Sequence, residues 1–175
     1  LLPFPPRWLE PSYLELNPLG TIPFFTDGDV QMTESAAICQ YLADKAGALR
    51  VLPGDPRYGA YLNFLHQSDA TLTFPQTLVF RYLHLEKPEN RNPKVAEDYR
   101  RWFIARTIWA ERALADGRPW LCGDEFTVAD IAVAYALLFA GNLGHLGEVG
   151  PHLLSFWERC QARDGFQRAK AAQQV

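Results

Sequence analysis

Two short segments in the first third of the sequence carry residues that could hold a charged, peptide-like ligand. In one of them, Thr33-Glu34-Ser35 stands directly before a helical pattern. The first turn of a helix offers unpaired backbone N–H groups and a positive dipole end. These N–H groups and the Ser35 hydroxyl suit a ligand carboxylate, and the Glu34 carboxylate suits the ammonium of the same ligand. The alternative is that Ser35 or Thr33 only caps the helix.

The other segment, Asn17 to Pro23, reads Asn-Pro-Leu-Gly-Thr-Ile-Pro. Here a helix end, a glycine and an X-Pro bond lead into a strand, and the first residue of a strand tolerates proline. A cis Ile22-Pro23 bond would aim the backbone N–H and C=O of Ile22 outward, where they can pair with an extended peptide. The alternative is an ordinary trans proline between a loop and a strand.

A third segment is interpreted as structural. Thr127 can cap a helix, and Asp130, three residues later, can reach back to the Thr127 N–H in a capping box. Phe126 and Ile131 occupy the positions of a hydrophobic staple. The segment therefore predicts the start of a helix and no direct chemistry.

The first two segments must be positioned by a strand pair that feeds a helix. Asp27-Gly28-Asp29 separates the apolar runs 22–26 and 30–32, and Asp-Gly between two such runs predicts a β-hairpin. A helical pattern then begins at Ser35, with Gly47 as its stop signal. Its expected apolar face consists of Ile38, Tyr41 and Leu42.

Short apolar runs give way to long segments of helical periodicity at the Pro/Gly cluster 51–56, which we interpret as a short linker. We place a domain boundary at Gly54. Residues 1–53 are then an α/β piece and residues 54–175 an all-helical piece. Helical periodicity predicts helices at 57–83, 94–115, 128–140 and 151–163, and a short last helix near Phe166.

Composition argues against several classes of function. The 175 residues carry a formal net charge of -3, so a broad positive surface for nucleic acid is not expected. No apolar run approaches the ~20 residues of a membrane-spanning helix. The three cysteines are far apart without CxxC spacing, which predicts neither a disulfide framework nor a metal site and fits a reducing cytosol.

Catalytic residues are not evident in this sequence. Cys39 lies at a core-facing helical spacing, so we interpret it as a packed thiol and not as a nucleophile. The four histidines form neither a ligand pair nor a nucleophile–base pattern. They are His66, His84, His145 and His152.

In order and spacing, the segments 17–23, 33–42 and 126–130, together with the hairpin, resemble the cytosolic glutathione transferase family in its bacterial type. The resemblance implies a thioredoxin-like amino-terminal domain, incomplete here, followed by an all-α domain. It implies that Pro23 is cis and that the backbone of Ile22 pairs with the cysteinyl part of glutathione. Glu34 and Ser35 would hold the γ-glutamyl end. In the family an acidic residue on the first helix of the helical domain often assists there, and Asp69 lies in the matching element.

The resemblance also implies an activity, in which the thiolate of glutathione, as co-substrate, attacks a small hydrophobic electrophile. The aromatic-rich stretch 74–82 is a candidate wall for that electrophile. A cytoplasmic homodimer without a metal is expected. The family's thiol-activating residue is a Ser, Tyr or Cys near its first strand, so we expect it, with that strand and the first helix, in a segment before Leu1.

Other functions fit the same resemblance. A glutathione-dependent isomerase, dehalogenase or disulfide reductase would use the same ligand. A non-catalytic interaction module would have no chemical need for a carboxylate beside a helix-terminal serine, so Glu34 and Ser35 argue against it. Glutathione binding separates these alternatives.

Overall fold

A small β-hairpin precedes a set of packed helices in a computed structural model that describes residues 10–173. The hairpin region consists of α1 (Pro11–Leu16), β1 (Phe25–Asp27), β2 (Val30–Met32) and α2 (Ser35–Ala46). The helical region that follows contains α3 (Tyr58–Gln67), α4 (Phe74–Phe80), α5 (Pro93–Arg106), α6 (Ile108–Leu114), α7 (Val128–Asn142), α8 (Pro151–Gln161) and α9 (Asp164–Ala172). This order agrees with the predicted α/β piece followed by an all-helical piece.

The hairpin is shorter than its sequence pattern predicts. Its register pairs Phe25 with Met32 and Asp27 with Val30, so Asp27 belongs to β1 and the turn consists of two residues. Gly28 opens this turn at φ +58°, a left-handed conformation that favours glycine. The expectation that the first strand begins at residue 22 is wrong, because β2 ends at Met32 and offers no partner before Phe25.

Helix α2 begins and ends where the sequence predicts. Gly47 adopts the left-handed conformation at its carboxyl end, and its N–H donates to carbonyls of the last turn. The predicted apolar face is wrong at Leu42, which is 43% exposed. The face of α2 that packs against the core is instead a stripe of small residues. This stripe consists of Ala36, Cys39 and Ala43.

The long helix predicted at 57–83 is a helical run from Tyr58 to Leu85 in which α-helix alternates with π-helix. Helix α3 passes into a π segment at Ser68–Thr73, and α4 passes into a second one at Arg81–Leu85. A π segment has i→i+5 hydrogen bonds and is frequent at functional sites. The first of these two segments contains Asp69.

The helix predicted at 94–115 is divided into α5 and α6 at Thr107. The Thr107 hydroxyl donates to the carbonyl oxygen of Ile104 at 2.7 Å. Its backbone N–H is shared between the carbonyls of Phe103 and Ile104. A threonine that binds its own helix in this way competes with the regular backbone ladder, so the break has a local cause.

Helix α7 is the central helix of the core, and it starts in a capping box. The Asp130 carboxylate accepts hydrogen bonds from the Thr127 N–H at 2.8 Å, the Thr127 hydroxyl at 3.1 Å and the Leu121 N–H at 2.8 Å. Asp130 is fully buried. Of the two staple positions, Phe126 packs edge-to-face on Trp120 and Ile131 is largely exposed.

A buried polar pair joins the helical run to the segment after α7. The side-chain amide nitrogen of Gln76 donates to the carbonyls of Leu72 and Ala136, both at 3.0 Å. The amide oxygen of Gln76 therefore accepts from His145 Nε2 at 3.1 Å. His145 is 3% exposed. Burial lowers the pKa of His145 below its ordinary value, the charge of Glu148 opposes this effect, and Arg100 adds to it.

We expect the buried His145 to make stability depend on pH. Because its folded pKa lies below the unfolded value of about 6.5, its contribution is fully present above that pH and falls as the pH drops below it, by at most about 1.4 kcal/mol per pH unit. Urea unfolding between pH 7.5 and 5 measures the slope. His145→Gln should flatten it, whereas His66→Gln, at an exposed position, should leave it unchanged. An equal slope in both variants would contradict this assignment.

None of the helices formed within residues 10–173 has the length and apolar character needed to cross a membrane.

Candidate functional site

Ser35 lies at the amino end of α2 and faces the first π segment. Its hydroxyl donates to the Asp69 carboxylate, at 2.9 Å to Oδ2 and 3.1 Å to Oδ1. The Ala36 N–H donates to the same Oδ2 at 3.3 Å. A carboxylate from a distant part of the chain is therefore bound by one hydroxyl and one helix-terminal N–H, which is the recognition that helix amino ends provide for anions.

Neither Ser35 nor Thr33 caps α2. The N-cap residue is Glu34, in an extended conformation and without a side-chain cap bond. The Thr33 hydroxyl donates to Glu34 Oε1 at 3.2 Å. Glu34 is exposed, and within residues 10–173 its carboxylate has no basic partner, so it remains available to a ligand cation.

Asn17 and Tyr13 hold the loop that leads to the second ligand-binding candidate. Asn17 is almost completely buried, and its Nδ2 donates to the Thr21 carbonyl at 2.8 Å while its Oδ1 accepts from the Leu19 N–H at 3.1 Å. The Tyr13 hydroxyl donates to the same Thr21 carbonyl. Sequence reasoning did not identify these two residues as positioning groups, although an asparagine before a proline is a common turn signal.

The Ile22-Pro23 peptide bond is cis, and Ile22 is 55% exposed. Neither the N–H nor the C=O of Ile22 has a hydrogen-bond partner within residues 10–173. An exposed, unpaired main chain of this kind can pair with an extended peptide.

The hairpin brings the two candidate segments to the same end of the sheet. Ile22 and Pro23 lie just before Phe25, and Glu34 and Ser35 lie just after Met32. Because Phe25 pairs with Met32 in the antiparallel register, both segments leave the hairpin at its open end. No direct hydrogen bond joins them among the described residues. A ligand with a peptide-like middle and a zwitterionic end would contact both.

Other residues singled out in the sequence lie outside this constellation. Thr127 and Asp130 form the buried cap of α7. Cys39 lies one turn after Ser35, and burial, together with the negative charge of Asp69, raises the pKa of its thiol, so it stays protonated.

In the stretch 74–82, Phe74 is exposed while Val79 is buried, so the stretch is only partly available as a wall of a site for an electrophile. Within residues 10–173, no group of His, Cys, Asp and Glu side chains could hold a metal ion.

Two family models match separate parts of the chain. The family model for the glutathione S-transferase N-terminal domain matches residues 2–50, and the one for the C-terminal domain matches residues 108–168. The chain is 32% identical to glutathione S-transferase 3 of Zea mays, covering 93% of this chain and 76% of that protein. It is 29% identical to a glutathione S-transferase of Hyoscyamus muticus, covering 90% of this chain and 77% of that protein.

The fold is shared with solved structures as well. The crystal structure of a glutathione transferase from Methylococcus capsulatus superposes with a TM-score of 0.75 at 27% identity, covering 93% of this chain and 79% of the other. The family models, the sequence relatives and the fold therefore all indicate the same family. The chain belongs to the cytosolic glutathione transferase family.

Proposed function

We propose that this glutathione transferase binds its co-substrate at the open end of the hairpin, through Ile22, Pro23, Glu34 and Ser35. The observation that carries the proposal is the amino end of α2, where Ser35 Oγ and the Ala36 N–H already bind a carboxylate. The γ-glutamyl end of glutathione is an amino acid with one carboxylate and one ammonium. Its carboxylate suits the helix end, which is positive and rich in N–H donors.

The ammonium of that amino acid would lie among carboxylates. Glu34 is exposed beside the helix end, and Asp69 reaches the same place from the first π segment. Charge-assisted hydrogen bonds are the strong ones in such a site. We therefore add Asp69 to the residues that hold the γ-glutamyl end.

The cysteinyl part of glutathione would pair with Ile22. An N–H and a C=O of the tripeptide meet the unpaired C=O and N–H of Ile22, as a peptide pairs with a strand edge. Asn17 and Tyr13 fix the preceding Thr21 carbonyl and so set the position of this edge. The sulfur of the ligand is thereby held at a defined place in the site.

The reaction is attack of the glutathione thiolate on a small hydrophobic electrophile. The thiol loses its proton, the sulfur lone pair forms a C–S bond, and the electrophile either releases a leaving group or gains a proton after addition. We assign the thiol-activating role to no described residue. Cys39 does not serve, because its raised pKa keeps it protonated.

Three further properties complete the proposal. The glutathione-binding domain is residues 1–53 and the helical domain is residues 54–175. The protein acts in the cytoplasm as a homodimer and needs no metal. Sedimentation of the purified chain measures its oligomeric state.

Calorimetric titration with glutathione tests the site. The double variant Glu34→Ala, Ser35→Ala should lose at least tenfold in affinity, because hydrogen bonds to charged groups contribute about 1.5–3 kcal/mol each. Asp69→Asn should weaken binding by a smaller factor. Cysteinylglycine, which lacks the γ-glutamyl group, should bind the unaltered protein weakly and be insensitive to the double variant.

The matched control is Ser155→Ala, Glu158→Ala, which makes the same chemical changes at exposed positions of α8. It should bind glutathione like the unaltered protein. Absence of glutathione binding by the folded, unaltered chain would overturn the proposal and favour an interaction module. Equal losses in both double variants would show that the site lies elsewhere.

A further inference from the structure

A groove lies between the later part of the helical run and α5. It has a volume of about 420 Å³ and is lined by three aromatic residues, two aliphatic residues and one carboxylate. These residues are Leu78, Tyr82, Val95, Asp98, Tyr99 and Trp102. The proposed glutathione site uses none of them. Leu78 lies nine residues after Asp69 on the same helical run.

The aromatic lining is ordered by stacking. Tyr99 and Trp102, three residues apart on α5, stack at a centroid distance of 5.5 Å and an interplanar angle of 9°. Trp102 is nevertheless 46% exposed. A large exposed indole held in one orientation offers a ready contact surface to a ligand, at little cost in side-chain entropy.

The rings around the groove attract cations. The Arg106 guanidinium lies over Trp102 at 5.4 Å from the ring centroid, and the Arg81 guanidinium lies over Tyr82 at 5.8 Å. Aromatic faces favour positive charge because of their quadrupole. The protein's own side chains thus show which sign of charge these rings accept.

Asp98 is the lining carboxylate, and it lacks a partner. Within residues 10–173 it forms neither an ion pair nor a hydrogen bond. The neighbouring Glu97 instead forms ion pairs with both Arg100 and Arg101, each at 2.7 Å. Lys94, one turn before Asp98, forms no ion pair with it either. Asp98 is therefore a carboxylate without an ion-pair partner beside the aromatic surface of the groove.

We propose that this groove binds an organic ammonium ion, with the cationic group beside Asp98 and the apolar part against Tyr82, Tyr99 and Trp102. A carboxylate next to aromatic faces favours such ions: a neutral molecule gains no charge interaction with Asp98, and a small inorganic cation gains little from the apolar walls. This site does not depend on glutathione binding.

Choline and its uncharged isostere 3,3-dimethyl-1-butanol are the probes. The two molecules have nearly the same shape, so the difference between their affinities reports the charge alone. NMR titration of the Trp102 indole signal, identified by its loss in Trp102→Leu, measures both. Choline should bind saturably, at least tenfold more tightly than the isostere. Asp98→Asn should weaken choline at least fivefold and leave the isostere unchanged.

Asp124→Asn is the matched control, since it removes the same charge at an exposed position outside the groove. It should leave the affinity for choline unchanged. Equal binding of choline and its isostere, or equal losses in Asp98→Asn and Asp124→Asn, would overturn the proposal. So would unchanged affinity for choline in Trp102→Leu, measured by calorimetric titration because this variant lacks the indole signal. Asp98 and Trp102 are both exposed, so these variants are expected to fold, and circular dichroism checks this.

Discussion

Replacing Asp130 with alanine is expected to lower the free energy of unfolding by about 3–5 kcal/mol, because the buried donors it satisfies would each lose a partner worth about 1–3 kcal/mol. These donors are the backbone N–H groups of Leu121 and Thr127 and the Thr127 hydroxyl. Burial raises the pKa of Asp130, while the same donors lower it. Urea unfolding followed by circular dichroism measures the loss.

A graded set of variants tests the Asp130 assignment even where alanine prevents folding. Asp130→Asn keeps the shape but can accept on one side only, so its loss should be smaller. Thr127→Ala should cost about 0.5–2 kcal/mol, the usual range for a helix cap. Asp124→Ala, at an exposed position of the preceding loop, should change stability by less than about 0.5 kcal/mol. A loss in Asp130→Asn no larger than in Asp124→Ala would contradict the argument.

The second large effect is expected where α6 meets the start of α8. Glu111 accepts from the Leu153 N–H at 2.9 Å, the His152 N–H at 3.2 Å and His152 Nδ1 at 2.7 Å, and its side chain is 15% exposed. It thus serves as the cap that α8 lacks in its own sequence, since the N-cap residue is Gly150. Glu111→Ala should cost about 1–3 kcal/mol of stability.

Gly150→Ala should have a comparable cost for a different reason. A Cβ added at Gly150 would lie 2.1 Å from Glu111 Cδ, so the carboxylate would be forced away from its donors. In the Glu111→Ala background the same change should cost only the modest penalty of alanine at an N-cap. A double-mutant cycle measures this coupling. Additive losses would show that Gly150 acts independently of Glu111.

Local patterns predict the elements with strong end signals. The Asp-Gly turn predicts the hairpin, Gly47 predicts the end of α2, and Thr127 with Asp130 predicts the start of α7. Each signal lies within a few residues of the structure it specifies, so it can be found without knowing the fold. The same holds for the two ligand-binding segments, whose residue types are informative by themselves.

Features that neither the apolar periodicity nor the end signals report were missed. Leu42 fits the apolar periodicity of α2, but the core takes the small residues of the adjacent stripe. The break at Thr107 arises from one hydroxyl that binds a nearby carbonyl, which helical periodicity does not detect. The family resemblance suggests Asp69 at the γ-glutamyl end, but its contact with Ser35 joins residues 34 positions apart, and only the folded chain shows it.

The contact between Asp69 and Ser35 has a consequence for selectivity. The helix end is already occupied by the Asp69 carboxylate, so an incoming carboxylate must displace it. The free energy gained is only the difference between the interactions of the two carboxylates with the helix end. A simple monoanion would displace Asp69 and leave two acidic side chains repelling it. A zwitterion brings the compensating ammonium with it, so the ligand-free protein discriminates against singly charged acids.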